Sequence, residues 1–181
     1  MRVDSPFMWV PANWQLAVCV FLTLAALPVG HYLRKQGVEL DQRLQYGVLD
    51  IEAPWTRQHA KEVRAALGEN GIEVARQQIL VDFVFLILYP LAISLACALI
   101  AQGLPGGVGA IGMMIAWCVL LAGPLDTIEN MSMLRQLSGN TESAWPQIST
   151  VCASLKFTLI AGGLGFITLA LLLRVVNYFR G

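Results

Sequence analysis

The chain has 181 residues, of which 56% are hydrophobic and 13% are charged, and its mean hydropathy is +0.62. An ordinary soluble domain has roughly 25% charged residues, so this composition indicates an integral membrane protein. Twelve basic and twelve acidic side chains cancel, which argues against a nucleic-acid-binding protein with a basic face for phosphates.

The first apolar run covers about residues 14–32, long enough to cross roughly 30 Å of hydrocarbon as a helix. Trp9, Trp14 and Tyr32 flank it, as aromatic residues flank membrane helices at both interfaces. Pro28 is expected to kink this helix. A cleaved signal peptide is the alternative interpretation, because the strongly apolar part is short and small residues lie near its end.

Residues 33–78 form one long polar segment with seven basic and seven acidic side chains. Within it, Thr56 is a candidate N-cap, and the apolar stripe that follows stops at residues 68–71. This pattern predicts a short amphipathic helix on the membrane surface or on the end of the bundle. Before it, residues 47–52 either insert their apolar side chains between the membrane helices or form a solvated loop.

The second span, about residues 79–100, places Asp82 and Tyr89 on one helical face, with the hydroxyl about two turns deeper than the carboxylate. They form either a polar lane into the bilayer or two separate contacts, the carboxylate with the headgroup region and the tyrosine with a neighbouring helix. The turn at 102–107 is short and rich in glycine, which makes spans two and three antiparallel neighbours.

The third span, about residues 108–131, ends in three polar side chains that share one helical face: Asp126, Glu129 and Asn130. Lipid cannot satisfy such groups, so they are expected to face protein or water. The helix is expected to continue to a stop at 138–140.

The fourth span, about residues 148–175, carries Lys156 roughly two turns from its start. Ala161 and Gly165 form a small-x-x-x-small pair that lets another helix approach closely. That helix belongs either to the same chain or, in a homo-oligomer or a complex with a partner subunit, to another one.

Four spans put both termini on one side of the membrane and the long loop on the other. Outside the spans or at their very ends, eight Lys and Arg residues lie on the loop side and three on the terminal side. For a multi-pass protein of the inner (plasma) membrane, the positive-inside rule then predicts residues 33–78 in the cytoplasm and the termini outside.

This topology brings the ionisable groups of spans two to four to the loop-side end of the bundle. A buried Lys156 without a partner would be costly, so we expect it to pair with Asp126 or Glu129. The candidate ligand- or ion-binding residues at this end are Asp50, Glu52, Asp82, Tyr89, Asp126, Glu129, Asn130 and Lys156.

The carboxylates at this end outnumber the single lysine, and several explanations remain open. Some carboxylates reach headgroup water, or the cluster forms a protonatable or ion-handling site, a ligand pocket, or a magnesium site acting on lipid phosphates. The D-x-x-E-N spacing matches no magnesium motif, so no metal ligand is assigned.

The remaining reactive residue types carry no recognisable site. His31 and His59 lie outside any serine or cysteine nucleophile signature, and no cofactor is assigned. The four cysteines each stand alone in an apolar run, which predicts small core or lipid-facing residues: Cys19, Cys97, Cys118 and Cys152.

Four short segments between residues 48 and 160 resemble a pattern of uncharacterised bacterial four-span membrane proteins: LDIE at 49–52, DFVF at 82–85, LDTIEN at 125–130 and LK at 155–156. The resemblance implies a four-span architecture and no particular activity. Ile51, Ala53 and Pro54 depart from the L-D-L-E-F-A form of the family.

The sequence therefore predicts an all-α polytopic membrane protein over residues 1–181, with four transmembrane helices in an antiparallel bundle and a short amphipathic helix in the first loop. The leading functional hypothesis is a non-enzymatic protein whose loop-side cluster locks helix packing and binds a ligand, ion or partner. The alternatives are a membrane enzyme acting on lipid-linked substrates through the carboxylates, and a proton- or ion-coupled carrier.

Overall fold

Six helices account for most of the chain in a computed structural model that describes residues 3–43, 48–141 and 144–180. The structure is 86% helical, and the described ranges contain no strand, which confirms the all-α bundle. The helices are α1 (Ala12–Arg43), α2 (Val48–Glu52), α3 (Arg57–Gln102), α4 (Gly106–Leu120), α5 (Ala122–Leu137) and α6 (Trp145–Arg180).

Four helical segments are long and apolar enough to cross a membrane: Ala12–Val38, Arg57–Gln102, Gly106–Leu137 and Trp145–Val176. They confirm the four predicted spans, but each helix is longer than its apolar run. The polar residues that follow the first apolar run include good helix formers such as Arg, Lys and Gln, so the backbone stays helical after polarity rises.

The predicted amphipathic helix is the first part of α3. Thr56 caps it as expected, because its hydroxyl accepts a hydrogen bond from the backbone N–H of His59 at 3.1 Å. The apolar stripe of this segment is buried, through Ala60, Val63 and Leu67.

The predicted stop at residues 68–71 is confirmed at Gly68, which leaves helical geometry at φ 60° and ψ −176° and separates two helical segments of α3. Helix resumes at Glu69, and Ala75 and Ile79 then face the core. One glycine at positive φ is sufficient to redirect the helix without a loop. Residues 69–78 are therefore a helical extension of the second span.

The third span is divided at Leu121 into α4 and α5 rather than continuous through 108–131 as predicted. Pro124 has no N–H, so it cannot bond the carbonyl of Leu120 one turn earlier. Gly123 lies close to α3, because a Cβ there would be 3.2 Å from the backbone oxygen of Leu86. The Gly-Pro pair thus both interrupts the helix and brings α5 against α3, just before the polar face begins.

The terminal-side end of the bundle is a tight apolar core, closed partly by the segment that precedes α1. Gln15 holds that segment by donating to the backbone oxygens of Phe7 and Val10, at 3.2 Å and 3.1 Å. The buried residues of this core are Phe7, Val10, Leu95, Cys97, Ala98, Ala101, Met113 and Ala116.

Helix α1 occupies a peripheral position. It lies against α3 and α2, and within the described ranges it makes no close backbone contact with α5 or α6. Helices α3, α5 and α6, by contrast, all contact one another. A gap between α1 and α6 follows from this arrangement.

The described cysteines are free, and the prediction that they are core or lipid-facing residues is confirmed. Cys97 and Cys152 are buried, Cys19 is partly buried, and Cys118 is exposed on the outer surface of α4.

Candidate functional site

Lys156 forms the centre of a buried ion-pair cluster between α5 and α6. Its Nζ lies 2.8 Å from Asp126 Oδ1 and 2.9 Å from each carboxylate oxygen of Glu129. The exposed fractions are 6% for Lys156, 2% for Asp126 and 0% for Glu129. The predicted pairing of Lys156 with the third span is confirmed, and it involves both acids.

Small residues on α6 explain how the lysine reaches α5. One face of α6 is buried at the successive positions Ser149, Cys152, Ala153 and Lys156, which follow the helical period. Because the first three side chains are small, the two helices approach closely, and the long lysine side chain then spans the remaining distance.

A second layer of hydrogen bonds joins α5 to α3. The Tyr89 hydroxyl donates to Asp126 Oδ2 at 2.8 Å, and Asn130 Nδ2 donates to Asp82 Oδ2 at 2.8 Å. The helices are antiparallel, so the deeper tyrosine meets the deeper partner and Asp82 meets Asn130 one turn nearer the loop. Tyr89 and Asp82 therefore both form hydrogen bonds with α5, so the face of α3 that they share lies toward that helix.

Helix α2 packs over this cluster from the loop side. Ile51 is buried beside residues of α3 and α5. The Ile51 side chain is therefore inserted between the membrane helices, as the first of the two alternatives for residues 47–52 predicts. Gly47 lies outside the described residues. Ser149 Oγ donates to the backbone oxygen of Glu52, and Thr150 Oγ1 accepts from the backbone N–H of Trp55. The start of α6 thus holds α2 in place.

The two acids of α2 have different surroundings. Asp50 Oδ1 lies 3.3 Å from His59 Nε2, on the first turn of α3. Glu52 has a buried oxygen, Oε2, with no hydrogen-bond partner among the described residues. The pKa of Glu52 is raised to about 7, chiefly by burial; Lys156 opposes this rise, and the negative charges of Asp82 and Asp126 add to it.

A cavity of about 920 Å³ lies between α1, α3, α5 and α6 beneath α2. Seven of the eight predicted site residues line it, and Glu129 lies behind Lys156. The other walls are mainly apolar, with Ile79, Phe85, Ile93, Phe157 and Ile160 among them. The structure therefore brings the predicted residues together at the polar wall of a large, mostly apolar cavity.

Sequence reasoning missed the α1 wall of this cavity, which is formed by Gly30, Leu33, Arg34, Gly37 and Val38. Their spacing follows the helical period, so they share one face. The signal was present as two glycines seven residues apart, but the prediction had ended the first span at residue 32 and assigned Arg34 to the loop.

Asn130 is another orphaned group at the polar wall. It is fully buried, and its amide nitrogen is committed to the Asp82 carboxylate. Since a carboxylate accepts and cannot donate, the nitrogen assignment is fixed and the free atom is the acceptor Oδ1, which has no partner among the described residues. Asn130 and Glu52 thus both present unsatisfied acceptors.

In the described ranges, no group of three or more His, Cys, Asp or Glu residues is arranged to hold a metal ion. The acids of the cluster are instead distributed among Lys156, Tyr89 and Asn130 as hydrogen-bond donors.

We compared the chain with protein-family models, curated proteins and solved structures, and none of them matches it. The resemblance to four-span bacterial membrane proteins stays a prediction.

Proposed function

We propose that this chain is a non-enzymatic membrane protein that binds a small hydrophobic ligand in the cavity of about 920 Å³. That cavity is the observation on which the proposal depends. Its volume is within the usual range for small-molecule sites, about 300–1,000 Å³, and such sites combine apolar walls with a few convergent polar groups.

The lysine cluster has a structural role in this proposal. Lys156 is neutralised by Asp126 and Glu129, and Tyr89 ties Asp126 to α3. Removing one partner from such a buried network leaves an uncompensated charge, so the network fixes how α3, α5 and α6 are placed. The cluster thereby fixes three of the helices that line the cavity rather than performing a reaction.

The proposal places the chain in the bacterial inner membrane with residues 33–78 in the cytoplasm and the termini outside, in agreement with the distribution of Lys and Arg. Ala161 and Gly165 are exposed, and a Cβ on Gly165 would meet no atom of the chain within 4 Å. This small-residue pair is therefore free to contact a second copy or a partner subunit, as the sequence suggested.

A second candidate function is an enzyme acting on lipid-linked substrates. Glu52 favours it, because a carboxyl group with a pKa of about 7 at a cavity wall is suited to general acid or base catalysis. Purified protein that turns over a lipid-linked substrate, with loss of turnover in Glu52→Gln, would favour this candidate over the binding protein.

The binding proposal is tested by filling the cavity. Ile160 lines it, whereas Leu164, one turn further along α6, is 48% exposed and does not. Native mass spectrometry of gently solubilised protein should show a bound hydrophobic molecule in wild type and in Leu164→Trp, and much less in Ile160→Trp. Equal retention in all three proteins would overturn the proposal.

A further inference from the structure

We infer that the ligand is a membrane lipid with a primary ammonium headgroup, and that it enters the cavity from the bilayer through the gap between α1 and α6. This inference depends on the proposed function, because it names the class of molecule that occupies the same cavity.

The gap gives the cavity a side that faces lipid. Both α1 and α6 contribute to the lining, through Leu33 on one side and Phe157 and Ile160 on the other. The described parts of the two helices make no close backbone contact with each other. Phe157 is 47% exposed although it lines the cavity, so it lies at the boundary between cavity and bilayer. An acyl chain can therefore enter the cavity without separating two packed helices.

The polarity of the walls follows the orientation of a lipid in the loop-side leaflet. On α3, Ile93 is eleven residues beyond Asp82, which is about 16 Å deeper along a helix. On α6, Ile160 is one turn deeper than Lys156. An acyl chain would thus lie among Phe85, Ile93 and Ile160, with its headgroup at the polar wall near the loop.

The polar wall has hydrogen-bond acceptors without a donor among the described residues, and the charge of Lys156 is already neutralised. Lys156 is saturated by two carboxylates, while Asn130 Oδ1 and Glu52 Oε2 lack donors among the described residues. Asp82 adds a further carboxylate to the lining. An ammonium group supplies a positive charge and three N–H donors, so it complements this wall in both charge and hydrogen bonding.

A headgroup that carries only negative charge would be repelled by Asp82 and by ionised Glu52, whereas the charge of Asp126 is paired with Lys156. The lipid phosphate has a different partner available, because the exposed Arg34 lines the cavity on α1, one turn nearer the loop than Gly30. A zwitterionic lipid can then place its amine at the acidic wall and its phosphate toward the arginine.

The test compares three lipids with identical acyl chains on purified full-length protein, using native mass spectrometry. Phosphatidylethanolamine has an ammonium with N–H donors, phosphatidylcholine has the same charge without donors, and phosphatidylglycerol has hydroxyl donors with a net negative charge. We expect phosphatidylethanolamine to bind about tenfold more tightly than the other two, the size expected for losing a charge-assisted hydrogen bond.

A matched pair of variants locates the effect. Glu52→Gln should reduce the preference for phosphatidylethanolamine over phosphatidylcholine, whereas Glu73→Gln, at an exposed position of α3 outside the cavity, should leave it unchanged. Free ethanolamine should not compete, because it has no acyl chain.

The outcomes separate the inference from the proposed function. Equal binding of the three lipids, or a preference for phosphatidylglycerol, overturns the ammonium inference, and if Ile160→Trp still abolishes binding the lipid-binding function stands. Competition by free ethanolamine would overturn the inference that the ligand is a lipid and would indicate a soluble amine instead. Binding that Ile160→Trp does not affect overturns the proposed function itself. The comparison of the three lipids uses the wild-type protein, so its result does not depend on whether a variant folds.

Discussion

The two ends of the bundle are built from opposite kinds of side chain. At the terminal side, small and apolar residues such as Cys97, Ala98 and Ala116 are fully buried and the helices pack closely. At the loop side, the buried residues between the helices include Asp126 and Lys156, which are long or charged. At the loop side the charged network ties α3, α5 and α6 together, whereas the described part of α1 makes no close backbone contact with α5 or α6. The cavity lies between α1 and the three helices that the network joins.

Breaking the network at its centre should reduce the stability of the protein most. Lys156→Met leaves Asp126 and Glu129 buried without their cation, so we expect a loss of about 3 kcal/mol in the free energy of unfolding. Thermal unfolding of the purified protein measures it. Lys35→Met, at an exposed position of α1, is the control and should unfold near the wild-type temperature. An unchanged midpoint for Lys156→Met would contradict the structural role of the cluster.

The tight end can be perturbed with a pair of glycines two residues apart on α6. A Cβ on Gly163 would lie 2.7 Å from Val119 Cγ2 and 2.9 Å from Ile93 Cγ2, whereas one on Gly165 meets no atom within 4 Å. Gly163→Ala should therefore destabilise the protein by about 1–2 kcal/mol through overpacking. Gly165→Ala should be neutral or slightly stabilising, because alanine favours helix. The same thermal assay distinguishes them, and equal midpoints would show that α6 does not pack on α4 as described.

A smaller effect is expected from the link between α3 and α5. Tyr89→Phe removes the hydroxyl that donates to Asp126 Oδ2 but keeps the ring, so the cost should be about 1 kcal/mol. Tyr32→Phe, at an exposed position on α1, serves as the matched control. If both variants have the same stability, the tyrosine hydroxyl has no role in the network.

Glu52 provides the most selective test, because its contribution to stability changes with pH. Its pKa rises from 4.5 to about 7 on folding, so the stability it contributes is fully present below pH 4.5 and is lost as the pH rises through 7. Glu52→Gln lacks this titration. In delipidated protein, the difference in unfolding temperature between Glu52→Gln and wild type should therefore grow in favour of the variant from pH 5 to pH 8. A constant difference would show that Glu52 titrates normally.

Much of the fold was predictable because membrane helices can be recognised from the length and hydropathy of their apolar runs. The four spans, the Thr56 cap and the tight turn before α4 follow from local patterns alone. The predicted ends of the helices were misjudged for a common reason. A rise in polarity shows where a chain leaves the lipid, but the backbone can stay helical beyond that point. Gly68 and Pro124 show the complementary difficulty, since a new helical segment begins directly after Gly68 and Pro124 divides the third span.

The candidate site was predictable where topology forces contact. Span number alone brings Lys156 to the same end as Asp126 and Glu129, and the cost of a buried charge then selects the pairing. The cavity was not predictable, because it depends on α1 standing away from α5 and α6, which is a matter of three-dimensional packing. For the same reason no sequence pattern indicates that Glu52 and Asn130 keep acceptor atoms without a partner among the described residues.

A lipid that occupies the cavity in the membrane can be detected by photolabelling. Vesicles containing phosphatidylethanolamine with a photoactivatable acyl chain would be irradiated and the labelled residues of α3 mapped by mass spectrometry. Bulk lipid reaches the outer positions Leu80, Val84 and Ile87, which are more than half exposed. We predict additional labelling at the cavity positions Phe85 and Ile93. That labelling should disappear in Ile160→Trp while the outer labels remain. Labelling confined to the outer positions in the wild-type protein would contradict the occupancy of the cavity by a lipid.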